Sequence, residues 1–154
     1  MQKRKISLIL LIIFLITISL TVANVFLEDS SKTPKNGTIK INNKTIHYDD
    51  SGKCIDVIDG NTIQVYGVGK VQLSQINTPS QGEIGFDEAK KFTEKECLSK
   101  TVYLDIDNKT PQDKYGRTLA IVYTDSIDLN KALIDNNLAK ISYFPPSEFK
   151  KGEI

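Results

Sequence analysis

The sequence predicts a mainly β fold with helices, of the α+β class: a five-stranded barrel with two or three helices, preceded by an N-terminal apolar helix. Short β-rich runs alternate with Gly and Asn turns between residues 53 and 124, and two stretches with apolar residues at helical spacing follow aspartates. About 125 residues follow the apolar N-terminus, which is enough for one domain with a single core.

The first predicted element is an uncharged apolar run over residues 6–27 that follows a basic start. At roughly 22 residues it can span a bilayer about 30 Å thick, which favours a retained membrane anchor over residues 1–27. The small residues Thr21, Val22 and Ala23 keep a cleaved signal peptide open. In both cases the domain is exported, either membrane-anchored and facing outside or secreted. Residues 28–37 are polar and predict a linker.

The next elements are an accessory hairpin and the barrel. Residues 38–50 predict the hairpin, because apolar residues alternate on both sides of Asn42-Asn43. Residues 51–146 hold the barrel and residues 147–154 form a tail. Helices are predicted to begin at the capping residues Asp87 and Asp128, and barrel strands are predicted at 54–58, 62–66, 70–76, 101–106 and 117–124. Three strands, a helix, two strands and a helix is the order of a five-stranded OB barrel.

Two compositional features limit the function. Beyond the three basic residues at 3–5, the chain has 17 basic and 19 acidic residues, so it does not grip nucleic acid through a strong overall positive charge. Cys54 and Cys97 are the only cysteines, and in an exported protein an even pair predicts a disulfide. Two buried reduced thiols are the alternative. The sole histidine, His47, is predicted to lie on the surface.

Three short motifs carry the chemical information. They are Asp59-Gly60-Asn61-Thr62, Ile76-Asn77-Thr78-Pro79 and Asp113-Lys114-Tyr115-Gly116-Arg117. In this order and spacing, they make residues 53–143 resemble the thermonuclease family of staphylococcal-nuclease-like OB-fold domains. The resemblance implies the same barrel and a Ca²⁺-dependent cleavage of DNA or RNA phosphodiester bonds. It also places Cys54 on the first barrel strand and Cys97 near the end of the first helix, both facing the core.

The resemblance places the Ca²⁺ ligands of active members on residues of changed chemistry. Two family aspartates fall on Asn61 and Asn77, and a family backbone carbonyl falls on Thr78. An amide supplies a neutral oxygen, whereas Ca²⁺ affinity depends strongly on the number of anionic oxygens. The sequence therefore predicts that Ca²⁺ binding is weak or absent.

The catalytic positions implied by the resemblance are also altered. The family glutamate that orients the attacking water falls on Ser80, and the two family arginines fall on Gln72 and Arg117. Serine is no base near neutral pH, and the loss of one arginine removes a clamp on developing charge. Glu83, three residues after Ser80, is the alternative base. Asp59 favours a turn role, because its side chain can hydrogen-bond the local backbone.

Arg117 is the residue most expected to contact phosphate, because a planar guanidinium suits that group; an ion pair with Asp113 is the alternative. Tyr115 and Tyr143 match positions that line the family's nucleotide pocket, although either can instead pack against the barrel. Lys114 is a further candidate contact or a solvated lysine.

Two functions remain open. The first is an exported, membrane-tethered OB module that has lost most or all hydrolysis and binds phosphate or nucleic acid or serves structure. The second is a weak metal-dependent extracellular nuclease. The expected partners are single-stranded DNA or RNA and, through the N-terminal helix, the membrane; the sequence identifies no protein partner.

Overall fold

The computed structural model describes residues 35–151. The predicted anchor or signal at 1–27, the first seven residues of the predicted linker and the last three residues of the chain lie outside this range. No helix in residues 35–151 is long and apolar enough to cross a membrane. The strands are β1 Gly37–Ile41, β2 Lys44–Tyr48, β3 Asp50–Asp59, β4 Thr62–Val65, β5 Gly69–Leu73, β6 Ile76–Asn77, β7 Thr101–Ile106, β8 Thr118–Tyr123 and β9 Lys140–Ile141. The helices are α1 Phe86–Cys97 and α2 Leu129–Asp135.

Five strands close a barrel in the spatial order β3-β4-β5-β8-β7. All neighbouring pairs are antiparallel except β5 and β8, which run parallel. Parallel neighbours need a long crossover, and here α1 and β7 supply it. The predicted five-stranded OB-type α+β barrel is confirmed.

The core fills the barrel with aliphatic side chains from alternate strand positions. Fully buried examples are Ile63 on β4, Leu73 on β5 and Leu104 on β7, and α2 adds Leu129 and Leu133. Successive side chains of a strand point to opposite faces of the sheet, so every second side chain of a barrel strand points into the core. The core thus fixes the register of the strands that carry the site.

The two helices begin differently from one another. Asp128 caps α2 as predicted, since its carboxylate accepts a hydrogen bond of 2.9 Å from the Lys131 backbone N–H. The prediction that Asp87 caps α1 is wrong. That helix begins earlier, because Gly85 adopts the left-handed conformation (φ 94°) and serves as its N-terminal boundary, which leaves Asp87 inside the first turn.

The hairpin of β1 and β2 turns at Asn42 and Asn43, both at positive φ, as a two-residue hairpin turn requires. Tyr48 on β2 is buried and packs against Tyr103 on β7, with ring centroids 5.0 Å apart. His47 is exposed on the same strand, as predicted. The hairpin therefore covers β7 on the outside of the barrel.

The two cysteines meet in the core without forming the predicted disulfide. Cys54 on β3 and Cys97 at the end of α1 are fully buried, and both thiols are free. Their sulfur atoms are 3.4 Å apart, whereas a disulfide bond is about 2.05 Å long. The Cys97 thiol hydrogen-bonds the Thr93 carbonyl within its own helix, so in this structure the pair is reduced.

Candidate functional site

A groove of about 760 Å³ lies on one face of the barrel. Its lining comes mainly from the turn between β3 and β4, from the end of β5 and the segment that follows it, from the loop between β7 and β8, and from the segment after β9. We call Asn61, Gln72, Thr78, Asp113 and Arg117 the arginine side of the groove. We call Ser74, Gln75, Asp107, Thr110 and Pro146 the glutamine side.

Arg117 is held on the arginine side by Asp113. The guanidinium Nε donates to one Asp113 carboxylate oxygen at 2.7 Å, and Nη2 reaches the same oxygen at 2.6 Å. The other oxygen accepts from the backbone N–H groups of Tyr115 and Arg117. Burial alone would raise the pKa of Asp113, but the hydrogen bonds and charge of Arg117 lower it below its ordinary value. The ion pair between Arg117 and Asp113, which was the alternative to a phosphate contact in the sequence analysis, is thus present. It orients the arginine side chain.

Arg117 also connects to the position of the second family arginine. Its Nη1 donates to the Thr62 hydroxyl at 3.5 Å, and that hydroxyl donates to the Gln72 amide oxygen at 3.1 Å. Thr62 and Gln72 face each other across β4 and β5, so strand pairing sets this contact. Gln72 extends the hydrogen-bonded chain but supplies no positive charge.

The position of the first family aspartate is occupied by a paired amide. Asn61 is 5% exposed; its amide oxygen accepts from the Thr78 hydroxyl at 3.1 Å, and its amide nitrogen donates to the Ile76 carbonyl at 3.2 Å. Asn77, at the second aspartate position, is exposed. The Asn61 oxygen therefore already has a hydrogen-bond partner within the arginine side.

The turn and loop beside Asn61 take the remaining carboxylates. Asp59 accepts a hydrogen bond of 2.9 Å from the Asn61 backbone N–H, which confirms its predicted turn role. Glu83 accepts from the Ser80 backbone N–H within its own exposed loop. Ser80 lines the groove, but Glu83 is not among the lining residues. The carboxylate considered as a base is therefore engaged by the loop that carries it.

These donors do not fit a Ca²⁺ ion. Asn61, Asn77 and Thr78 bring no anionic oxygen, and the Asn61 oxygen is already hydrogen-bonded. Within residues 35–151, no group of three or more His, Cys, Asp or Glu side chains could hold a metal ion. Hard divalent cations need several oxygen ligands, usually including carboxylates. Arg117 is the arginine that lines this groove, and its guanidinium is a hydrogen-bond donor of the kind that binds anions.

Aromatic side chains stand at the rim of the groove. Tyr115 is 71% exposed, and its ring lies 5.0 Å from the Lys114 ammonium nitrogen and 5.4 Å from the Arg117 guanidinium carbon. Lys114 also lines the groove. Tyr143 is half-buried and is not among the lining residues, whereas its neighbour Phe144 lines the groove and is 76% exposed. Exposed aromatic rings of this kind can stack on the bases of a single strand.

Asp107 organises the glutamine side. Its carboxylate oxygen accepts from the backbone N–H groups of Lys109 at 3.0 Å, Thr110 at 3.2 Å and Glu148 at 3.1 Å. Burial raises the pKa of Asp107, but the Ser147 hydroxyl and these backbone groups lower it below its ordinary value. Asp107 thereby fastens the segment after β9 to the loop after β7.

We call residues 144–149 the strap. The Thr110 hydroxyl donates to the Pro146 carbonyl at 2.6 Å, and the Lys109 ammonium donates to the Ser147 carbonyl at 3.3 Å. Phe144, Pro145 and Pro146 form an apolar wall of the groove. Sequence reasoning missed this side, although the polar pair Ser74-Gln75 in the otherwise apolar end of a predicted strand was a signal that could have indicated it.

A closed mixed barrel with an arginine-bearing groove beside the β3–β4 turn defines a thermonuclease-like OB-fold domain. Residues 70–153 match the family model described as staphylococcal nuclease homologue. The chain is 31% identical to the thermonuclease of Staphylococcus hyicus over 160 aligned positions, which cover 96% of this chain and 86% of that protein. It is 34% identical to the thermonuclease of Staphylococcus intermedius over 105 positions, 60% of either chain. The protein belongs to the staphylococcal nuclease family.

A further relative shows how much of these proteins the match covers. Endonuclease YncB of Bacillus subtilis (strain 168) is 32% identical over 95 positions, which are 56% of this chain and 45% of that protein. The chain thus spans about three fifths of the S. intermedius thermonuclease and less than half of YncB.

Proposed function

We propose that this domain binds the phosphate of a nucleotide or of single-stranded DNA or RNA in its groove, and that it has lost most or all of the Ca²⁺-dependent hydrolysis of its family. The observation that carries the proposal is the contrast between Arg117 and Asn61. Arg117 remains in the groove with its guanidinium oriented by Asp113. The oxygen of Asn61, at the metal position, is taken by the Thr78 hydroxyl.

The phosphate contact follows from the geometry of Arg117. Asp113 engages Nε and Nη2 through one oxygen, so the side chain is held in one orientation before a ligand arrives. A preoriented guanidinium loses little freedom when it donates to a phosphate. Because the chain carries little net charge, this contact contributes most of the affinity, and binding should be moderate and weaken with salt.

The loss of hydrolysis follows from the missing charges. Without a carboxylate at 61, 77 or 80 and with an amide at 72, nothing in these four positions stabilises a metal-bound attack on phosphorus. The alternative, a weak nuclease with Glu83 as base, needs that side chain to leave the Ser80 backbone N–H and enter the groove.

Binding and cleavage by the full-length protein test this proposal together. Fluorescence anisotropy with labelled single-stranded DNA and RNA should show binding that weakens about tenfold in Arg117→Ala and less in Arg117→Lys. Lys91→Ala, on the exposed face of α1, is the matched control and should bind like the wild type. Gel assays with Ca²⁺, Mg²⁺ or a chelator should show no metal-dependent cleavage. Cleavage that needs metal and disappears in Arg117→Ala would establish the nuclease instead.

We also propose that the domain is exported and tethered to the membrane. The support is the sequence of residues 1–27, with a basic start and a long uncharged apolar run. Fractionation of cells that make the full chain should place it in the membrane, with residues 35–151 open to added protease from the outside. Recovery in the medium would indicate a cleaved signal, and recovery in the cytosol would contradict export.

Oxidation of the cysteine pair is a consequence of export. Exchange with an external disulfide compound would transfer two electrons from Cys54 and Cys97, release two reduced thiols and leave a protein disulfide. The thiols lie 3.4 Å apart and 43 residues apart in sequence, so the bond would stabilise the domain by about 4 kcal/mol in the chain-entropy description. Mass spectrometry of alkylated, non-reduced protein decides between a bridge and two free thiols.

A further inference from the structure

Two buried polar atoms on the glutamine side have no hydrogen-bond partner. In the part of the chain that the structure describes, the buried side-chain atoms in this condition are the Ser74 hydroxyl oxygen and the Gln75 amide oxygen. Ser74 is 7% exposed and Gln75 is 6% exposed, and both line the groove. Buried polar atoms are nearly always paired in folded proteins, so two adjacent exceptions in one groove indicate a place where a ligand completes the pairing.

The neighbours of Gln75 fix which of its amide atoms is left over. The Gln75 amide nitrogen donates to the Ser147 hydroxyl oxygen at 3.2 Å. That oxygen also accepts from the Phe149 backbone N–H at 3.2 Å, and the hydroxyl hydrogen-bonds the Asp107 carboxylate, which can only accept. Ser147 therefore gives its one proton to Asp107 and cannot donate to Gln75. The free atom is the Gln75 oxygen, which needs an N–H or O–H donor.

The backbone presents these side chains in a fixed conformation. Gln75 has a φ of 65°, in the left-handed region, and among the non-glycine residues at positive φ in the described range it alone is buried. The turn is held from three directions. The Ser74 N–H donates to the Ala120 carbonyl, the Asn130 amide donates to the Ser74 carbonyl, and the Ser142 N–H donates to the Gln75 carbonyl. A strained conformation that its surroundings fix in this way is a feature of binding sites.

We propose that Ser74 and Gln75 form a second subsite, which accepts a hydrogen-bond donor of the nucleoside part of a ligand whose phosphate lies at Arg117. This inference rests on the proposed function. Gln72, which is linked to Arg117 through Thr62, precedes Gln75 by three residues. Arg117, Ser74 and Gln75 line the same groove, so one ligand of nucleotide size can meet all three side chains. The wall of Phe144, Pro145 and Pro146 gives the sugar or base an apolar surface beside these polar atoms.

Calorimetric titration of the full-length protein with four probes tests the subsite. The probes are inorganic phosphate, ribose 5-phosphate, adenosine 5′-monophosphate and uridine 5′-monophosphate. In Gln75→Met, which keeps the length of the side chain without its amide, nucleotide affinity should fall about five- to tenfold while phosphate affinity stays unchanged. Ser74→Ala should lower nucleotide affinity about threefold. Gln64→Met, a glutamine on β4 outside the groove lining, is the matched control and should bind like the wild type.

The pattern across probes identifies the donor. A loss confined to the two nucleotides assigns it to the base, and a loss that extends to ribose 5-phosphate assigns it to a sugar hydroxyl; both support the subsite. Unchanged nucleotide affinity in Gln75→Met and Ser74→Ala would overturn it and leave the two side chains a structural role. Ser74→Ala removes only an unpaired atom, so the thermal midpoint of this variant should equal that of the wild type. The variant therefore still tests the subsite if Gln75→Met folds poorly. If the proposed function itself fails, none of the probes binds and Arg117→Ala changes nothing.

Discussion

The two sides of the groove differ in how completely their polar side chains are hydrogen-bonded. On the arginine side, the polar side chains hydrogen-bond one another in three pairs: Thr78 with Asn61, Thr62 with Gln72, and Asp113 with Arg117. On the glutamine side, Asp107 orders the strap, yet two buried polar atoms stay unpaired. The hydrogen bonds of the arginine side thus hold its side chains, Arg117 among them, in one arrangement, whereas the glutamine side leaves two buried polar atoms without a partner.

Restoring charge to the arginine side should change the activity of the domain most. The combined change Asn61→Asp, Asn77→Asp, Ser80→Glu and Gln72→Arg supplies the carboxylates and the guanidinium that metal-assisted hydrolysis requires. We expect Ca²⁺-dependent cleavage of single-stranded DNA at least about a hundredfold above the wild type. Gel assays with Ca²⁺ and with chelator measure it. If the restored protein folds but does not cleave, the side has changed beyond these four residues.

The next largest effect concerns the residue that orders the glutamine side. Asp107→Asn should lower the free energy of unfolding by about 2 kcal/mol at pH 7, because the charged acceptor of three backbone N–H groups and the Ser147 hydroxyl is lost. Since the folded-state pKa is lowered, this contribution is present above the unfolded pKa of about 3.9 and disappears as pH falls through the folded value.

Urea denaturation at pH 7 and pH 3 measures the Asp107 effect. Asp87→Asn, an exposed carboxylate in the first turn of α1, is the control and should change stability by less than about 0.5 kcal/mol. Equal stability of Asp107→Asn and the wild type at pH 7 would mean that the strap is not fastened through this carboxylate.

A smaller loss of stability is expected when the hydrogen bond between Thr78 and Asn61 is removed. Thr78→Val keeps the shape but removes the hydroxyl that donates to Asn61, which leaves a buried amide oxygen unpaired. We expect a loss of about 1–2 kcal/mol in the free energy of unfolding. Thr45→Val, on the exposed part of β2, serves as the control. No loss in Thr78→Val would show that the Asn61 oxygen is not committed to Thr78.

The last prediction concerns the pH dependence of stability and the carboxyl group of Asp105 on β7. Burial first, and then Asp49 and Glu148, raise the pKa of Asp105 to about 6, with His47 opposing them and Asp107 adding to them. A raised carboxyl pKa means that the folded state binds more protons than the unfolded state between about pH 4 and 6, so stability falls as pH rises through that window. Asp105→Asn should therefore gain about 1 kcal/mol at pH 7 and nothing at pH 4. An equal gain at both values would contradict this titration.

The barrel and the arginine side were within reach of the sequence. Alternating apolar residues and the Asp-Gly turn predict strands directly, and the motif that ends in Arg117 has a fixed spacing. The start of α1 was not, because Gly85 at positive φ is as good a boundary as a capping carboxylate. The glutamine side was not predicted either. This side is held together by a hydrogen bond from the Glu148 backbone N–H to Asp107, two residues that lie 41 positions apart in the sequence. A local sequence pattern does not predict a contact of this kind.

The exposed position of Phe144 in the strap is suited to a fluorescent reporter of ligand binding. The chain contains no tryptophan, and this ring stands 76% exposed at the mouth of the groove. Phe144→Trp would give the full-length protein a single indole fluorophore at the place where a ligand enters. A shift of its emission to shorter wavelength on titration would report occupancy of unlabelled oligonucleotides optically, in real time and without a second dye.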